Sequence, residues 1–324
     1  MPTLKRPQET LLRSVKSFLV RSGPDNTVTR ASLALHGLRR GFRISCGEVL
    51  SLRKGHREIR VSRRALYMVP YMLKYFELYF SSFHAVEEGG HQTLDFSRPA
   101  FHQYTKAGTG FYFPSVPEEE FGEEYIRRYR PRPGDVVFDL GANAGATTWF
   151  LSKMVGERGK VFAFEPDDEN YTFLLKNIDH HRLKNVVPVK KAIGASTGTA
   201  AFQMNGTMGS ALTAFAAYTG TGDVRTVETL TLEDACRELD TIPAFIKMDV
   251  EGAETSIIAG AGGFLRKNPI HFALDSSHLI DGEMTCHALD KLFAAIGYDV
   301  RSGDDSGQMF TWATPPSSPA NACH

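Results

Sequence analysis

Residues 134–166 read GDVVFDLGANAGATTWFLSKMVGERGKVFAFEP. Val136, Val137 and Phe138 make a short apolar run of strand type, bounded by Pro133-Gly134 in front and by glycine behind. Asp139 closes the run, and Gly141, Asn143 and Gly145 form a tight turn of small residues. From Ala146 to Met154 the spacing becomes helical, with Phe150, Leu151 and Met154 available for one face. A second strand, Val161 to Phe164, is closed by Glu165 and Pro166. The unit is strand, glycine-rich turn, helix, strand, and a carboxylate ends each strand.

Glycines at such a turn let the backbone approach a ligand, and ligands lie beyond the carboxyl ends of parallel strands. An acidic residue ending the next strand is placed to accept both ribose hydroxyl protons. A nicotinamide dinucleotide would want G-x-G-x-x-G, because its pyrophosphate lies against bare backbone and a helix N-terminus. Here Asn143 takes the middle position, and Asp139 stands two residues before the first glycine. A carboxylate there repels a pyrophosphate but suits a ligand carrying an ammonium and a sulfonium. S-adenosylmethionine has that chemistry.

Three stretches in order, DLGANAGATT, AFEP and FIKMDVEGAETSIIAGA (245–261), resemble the FkbM-type family of class I S-adenosylmethionine-dependent methyltransferases. The resemblance runs from about Phe111 to Ala313. It implies a Rossmann-like α/β fold with a seven-stranded, mostly parallel sheet whose last strand is antiparallel. It also puts Asp139, Gly141, Asn143 and Gly145 around the methionine end of the cofactor, Glu165-Pro166 at the ribose, and Ala192 and Ile193 along the adenine.

With 324 residues, 42% hydrophobic and 23% charged, the chain has the composition of a soluble globular protein of one large or two modest domains. Cys46, Cys236, Cys286 and Cys323 form no C-x-x-C pair and read as reduced thiols of a cytoplasmic protein. The basic N-terminus lacks the continuous apolar core and small-residue cleavage site of a secretory signal. Residues 1–64 carry 15 Lys+Arg against 4 Asp+Glu, so a net charge of zero hides an asymmetry. Such a segment can meet an anionic membrane or nucleic acid, or pair with acidic neighbours in its own chain. No aromatic residues interleave regularly with its arginines, which argues against nucleic acid.

Taken in order, residues 1–40 form a loosely ordered segment with an amphipathic helix over about Glu9–Val20. Residues 41–117 form a small α+β region: an antiparallel meander over 42–62, an apolar helix over 64–83, and an irregular aromatic stretch over 93–117. The 64–83 stretch is too short and too interrupted by Lys74 and Glu77 to span a bilayer. A helix over 117–128 opens the catalytic domain, 118–313, and 314–324 has the composition of a disordered tail. Further strands are expected at 185–192, 245–248, 270–274, 298–301 and 309–312. Helices are expected at 168–178, 232–239, 254–265 and 283–295, and a hairpin with a mobile tip over 205–222. This alternation predicts a doubly wound α/β sheet.

The segment Lys247-Met248-Asp249-Val250-Glu251-Gly252 ends the fourth strand of that sheet. Strand alternation is expected to send Lys247, Asp249 and Glu251 to one side of the cofactor crevice. Asp249 is the choice for the group nearest the transferred methyl, with Glu251 as base or substrate orienter and His278 as an alternative base. The competing reading pairs Lys247 with Glu251 and lets Glu251 cap the next helix. Asp249 and Asp275 end neighbouring strands, but without an evident third ligand no metal is expected.

The expected function is methylation of a hydroxyl on a small-molecule or sugar-containing acceptor. A nucleotide-dependent oxidoreductase and a non-catalytic or membrane-associated binding module are the rival readings. Oligomeric state is left open.

Overall fold

The computed structural model describes residues 27–119, 121–204, 209–214, 223–280, 282–305 and 308–316. The helix expected over Glu9–Val20, most of the 205–222 tip and most of the tail lie outside the described residues. The described residues fall into two compact units, one up to Glu119 and the other from Phe121 onward, Gly209 and Asp223 counting with the first.

The first unit opens with α1 (Thr27–Leu38), then β1 (Arg43–Cys46), β2 (Leu50–Lys54) and β3 (Arg57–Val61). These three strands form the expected meander, and its buried pairs Leu50↔Val61 and Leu52↔Ile59 set the register. Four of the basic residues are paired within the unit. Arg53 and Arg60 pair with Glu58, and Lys54 and Arg57 pair with Glu77.

The single helix expected over 64–83 is instead three pieces: a 3₁₀ segment Arg63–Met68, α2 (Val69–Lys74) and α3 (Phe76–Ser82). Pro70 has no amide to donate and can sit only in the first turn, so α2 must start there. Tyr75 leaves the helical region at φ −106°, ψ 22° and separates α2 from α3.

The stretch over 93–117 is also more regular than expected. β4 (Val86–Glu88) and β5 (His91–Phe96) extend the meander sheet, with β5 parallel to β3, and β6 (Ala100–Gln103) and β7 (Gly110–Phe113) form a hairpin. Rings from this stretch and from α3 and the residue after it make the core of the unit: Tyr79, Phe83, Phe96, Tyr104, Phe111 and Phe113 are all buried. Phe83 and Tyr104 stand 4.4 Å apart, centroid to centroid.

The second unit carries the predicted sheet. The helix expected over 117–128 is reduced to a 3₁₀ turn at Glu123–Ile126, preceded by Gly122 at φ +89°, a conformation no helix interior accepts. Then come β8 (Val136–Leu140), α4 (Ala146–Val155), β9 (Lys160–Phe164), α5 (Asp168–His180) and β10 (Val186–Val189). A smaller sheet follows, β11 (Ala192–Ile193), β12 (Gly198–Met204), β13 (Ala211–Leu212) and β14 (Asp223–Leu230). The chain continues through α6 (Leu232–Glu238), β15 (Phe245–Met248), α7 (Glu254–Leu265) and β16 (His271–Asp275). It ends with β17 (Leu279–Ile280), β18 (Glu283–Met284), α8 (Thr285–Ala295), β19 (Asp299–Asp305) and β20 (Gln308–Thr314).

The large sheet has the order β10-β9-β8-β15-β16-β20-β19. Its pairings are parallel except at β20, which runs antiparallel to both neighbours. Both faces are buried, and the strands alternate between two clusters. Val137, Val161 and Ala163 pack with Leu151 of α4 and Leu174 of α5. Phe138, Phe162, Ile246 and Leu274 pack with Ala235 of α6, Ile257 of α7 and Leu289 of α8. β10, at one margin, carries Pro188, while Asp299, Arg301 and Asp304 of the opposite margin are exposed. Among the described residues no helix is long and apolar enough to cross a membrane.

Glu119, the last residue of the first unit, is buried, and Tyr71 Oη donates to its Oε2 at 3.3 Å. Burial pushes its carboxyl up to about 7. A carboxyl raised above its ordinary value stabilises the fold fully at acid pH, and that contribution fades as pH rises through about 7. Glu119→Gln should therefore raise the melting temperature at pH 8 by about 3–6 °C and change it little at pH 5, measured by calorimetry across pH.

Candidate active site

The strand order reverses at β8, whose neighbours β9 and β15 carry the chain outward in opposite directions. In open α/β sheets this is where a crevice forms at the carboxyl ends of the strands. The structure brings Asp139, Glu165, Lys247, Asp249 and Asp275 to those ends.

Asp139 and Lys247 are directly opposite in register on β8 and β15. Asp139 is fully buried; its Oδ2 accepts from Thr148 Oγ1 at 2.6 Å, and its Oδ1 lies 3.3 Å from Lys247 Nζ. Lys247 Nζ also donates to Gly141 O at 2.8 Å and stands 5.4 Å from the Tyr125 ring. The ammonium thus binds a strand end and the glycine-rich turn together, and its ion-pair partner is Asp139 rather than Glu251.

The turn needs its glycines. Gly141 has φ +79°, and a Cβ there would lie 1.9 Å from Asp249 O, so only glycine lets the turn press against the end of β15. Asn143 takes a left-handed φ of 49°, which asparagine tolerates better than most residues. Gly145 begins α4 at φ +90°.

Glu165 reaches back onto the same turn: its Oε2 accepts from Asn143 N and its Oε1 from Asp167 N, both at 2.8 Å. Burial, reinforced by Asp167, pushes its carboxyl up to about 8, against these two hydrogen bonds. Pro166 is buried, and Asp167 caps α5 by accepting from Glu169 N and Asn170 N.

Ala192 and Ile193 do not continue the strand begun at Val186. The chain leaves the large sheet at Lys190 and Lys191, which pair with Asp168 and Glu238, and β11 then runs parallel to β14 in the smaller sheet. Both residues are buried.

The cluster after β15 is assembled differently from a plain strand alternation. β15 ends at Met248, and Glu251 turns in a left-handed conformation at φ 56°. Lys247 and Asp249 both adjoin Tyr125, whose Oη donates to Asp249 Oδ2 at 3.4 Å. Glu251 instead faces His278, 3.3 Å from Nε2. Glu254, not Glu251, secures the turn, its Oε1 accepting from Val250 N at 3.1 Å and Gly252 N at 3.2 Å. That same oxygen lies 3.3 Å from His278 Nδ1.

Burial, with Asp275 next in weight, pushes Asp249 well above the usual carboxylate range. Burial alone would lower His278, but Glu254, Asp275 and Glu251 carry it well above the ordinary histidine value. Both groups are thus held toward their protonated forms.

Sequence reasoning missed Glu254, Tyr125 and Thr148. Glu254 carried a signal, an acidic residue in the first turn of a helix. Tyr125 and Thr148 carried none, because their partners lie on other strands.

Residues 139–300, half of the chain, match the methyltransferase FkbM domain. The chain belongs to the FkbM methyltransferase family. It is 32% identical over 90 residues to a probable cobalt-precorrin-6B C(15)-methyltransferase (decarboxylating) of Sulfurisphaera tokodaii, covering 24% of this chain and 47% of that one. It is 31% identical over 68 residues to the tRNA (adenine(58)-N(1))-methyltransferase catalytic subunit TRM61 of Yarrowia lipolytica, covering 21% and 18%. The crystal structure of methyltransferase FkbM from Methylobacillus flagellatus aligns at 17% identity and a TM-score of 0.42, over 58% of this chain and 45% of that one. The chain thus spans less than half the length of each of these relatives.

Removing one partner of a buried ion pair leaves an uncompensated charge. Lys247→Met should cost about 3–5 kcal/mol in urea unfolding. Adding Asp139→Asn to that variant should recover part of the loss, whereas a solvated pair would show neither effect.

Proposed function

We propose that this chain is an S-adenosylmethionine-dependent methyltransferase acting on a hydroxyl of a small-molecule or sugar-containing acceptor. The observation that carries the reading is Glu165, a buried carboxylate ending β9 and bonded to the small-residue turn after β8. Each of its oxygens accepts one amide and retains a lone pair for a ribose hydroxyl. The turn Gly141-Ala142-Asn143-Ala144-Gly145 offers no long side chain to obstruct a ligand. Asp139, Glu165, Asp249 and Asp275 stand at four strand ends, and a sulfonium and an ammonium would favour their ionised forms where a pyrophosphate would oppose them.

S-adenosylmethionine would supply an electrophilic methyl group. Asp139, Gly141, Asn143, Gly145, Glu165 and Pro166 are the residues assigned to hold it, with Ala192 and Ile193 toward the adenine. Lys247 serves as a positioning residue, holding the turn through Gly141 O while neutralising Asp139. Asp249, half-buried and raised in proton affinity, is assigned to accept the acceptor's hydroxyl proton, with Tyr125 steadying its Oδ2. The names of the two curated relatives specify nitrogen and carbon acceptors. The choice of oxygen rests on this carboxylate and on the family.

Calorimetric titration with S-adenosylhomocysteine and NAD tests the reading. Micromolar binding of the former alone, lost in Glu165→Ala, is expected; a preference for NAD would overturn it. Because the ionised Glu165 is the better hydroxyl acceptor, affinity for S-adenosylhomocysteine should tighten as pH rises through about 8. Glu165→Gln should abolish that rise. Asp249→Asn should keep this affinity while methyl transfer to an accepted hydroxyl falls by about 10²–10⁴-fold.

A further inference from the structure

Asp249, Glu251 and His278 each offer one donor atom, and the three atoms lie within 4.8 Å of one another. His278 Nε2 is 3.3 Å from Glu251 Oε2. Two ligands of one tetrahedral ion at about 2.1 Å stand roughly 3.4 Å apart, so this separation is already that of a ligand pair.

The other ring nitrogen is placed as an outer shell requires. His278 Nδ1 lies 3.3 Å from Glu254 Oε1, and that carboxylate is fixed by the amides of Val250 and Gly252. A carboxylate behind one imidazole nitrogen sets the tautomer and turns the other nitrogen toward a metal.

Two further observations point to a cation as the ligand. Glu254 is fully buried, yet its Oε2 has no hydrogen-bond partner among the described residues. In addition, four carboxylates, those of Asp249, Glu251, Glu254 and Asp275, gather about one imidazole. Lys247, the ammonium nearest this group, already faces Asp139 and Gly141 O. The expectation of no metal rested on the lack of a third ligand beside Asp249 and Asp275. The structure instead groups Glu251 and His278 with Asp249, through a left-handed turn and a loop that strand alternation could not anticipate.

We propose that Asp249, Glu251 and His278 bind one divalent first-row transition ion of the Mn²⁺-to-Zn²⁺ class, with Glu254 as the outer partner of His278. An imidazole among the ligands selects against Mg²⁺ and Ca²⁺, which take oxygen donors. All three ligands are half-buried, so the ion has an entry path and an open coordination position. The site rests on its own geometry. If the methyl-transfer reading holds, an ion there would also lower the proton affinity of the acceptor hydroxyl, with Asp249 then serving as its ligand in place of the proton acceptor.

The test is titration of the chelator-treated full chain with Mn²⁺ followed by electron paramagnetic resonance, and with Zn²⁺ and Mg²⁺ by calorimetry. One Mn²⁺ per chain is expected, with nitrogen coupling from the His278 ring in the spin-echo modulation and Mg²⁺ binding at least about tenfold weaker. Glu251→Gln and His278→Ala should each weaken Mn²⁺ binding by about 10–100-fold, with folding checked by melting temperature. No stoichiometric Mn²⁺ or Zn²⁺ site, a site without nitrogen coupling, or affinity unchanged in both variants would overturn the proposal. The coupling is read on the unaltered protein, so the test survives a variant that fails to fold. S-adenosylhomocysteine binding to the same sample separates the two readings. Its absence defeats methyl transfer alone, and its presence without a metal site defeats this proposal alone.

Discussion

Asp139 and Lys247 face each other across two neighbouring strands, both almost wholly removed from water. Charges in such a place are tolerated only when they are matched, because the desolvation of each is large and only the other can offset it. The pair therefore fixes more than itself. Lys247 cannot leave Asp139, it also holds Gly141 O, and Gly141 is pressed against Asp249. The glycine-rich turn, the end of β8 and the end of β15 are locked as one object, and Glu165 fastens the far side of that turn from β9.

Around this lock the carboxyl edge of the sheet concentrates acid groups. Isolated carboxylates would ionise near pH 4, but burial raises Glu165, Asp249 and Asp275, reinforced by Asp167 at the first, Asp275 at the second and Glu254 at the third. The edge therefore stores an affinity for positive charge that no single residue would show. A protonated imidazole, a sulfonium and a divalent ion are three ways to satisfy it. Which one is bound decides which carboxylates are free to accept protons, so ligand binding and acid-base state are coupled at this edge.

Much of this was legible in the chain. The apolar runs at 136–138, 161–164 and 245–248 are local and bounded by glycine, proline or acid, and each became a strand near its expected limits. Asp139, Gly141 and Glu165 could be read because each sits at a fixed distance from such a run. What escaped was set by distant partners. Nothing near Lys247 announces that it faces a residue 108 positions earlier, and nothing in a strand period foretells Glu251 turning left-handed. Local chemistry was also overridden: acidic residues at 118–120 and arginines at 127–128 suggest a helix, but Gly122 at positive φ breaks it. The reverse occurred at 91–96, where the alternation of Leu94 and Phe96 with polar neighbours was overlooked amid aromatic residues that form a core instead.

An open sheet of seven strands has two unpaired margins, and each could recruit a strand from another molecule. At one margin Pro188 sits in the middle of β10, where its missing amide interrupts the row of donors that an incoming strand would need. At the other, the exposed charges of Asp299, Arg301 and Asp304 make β19 a costly template. The same backbone order that opens a crevice at the centre is thus shielded at its borders against edge-to-edge aggregation, and the protection at β10 is covalent, independent of salt and pH.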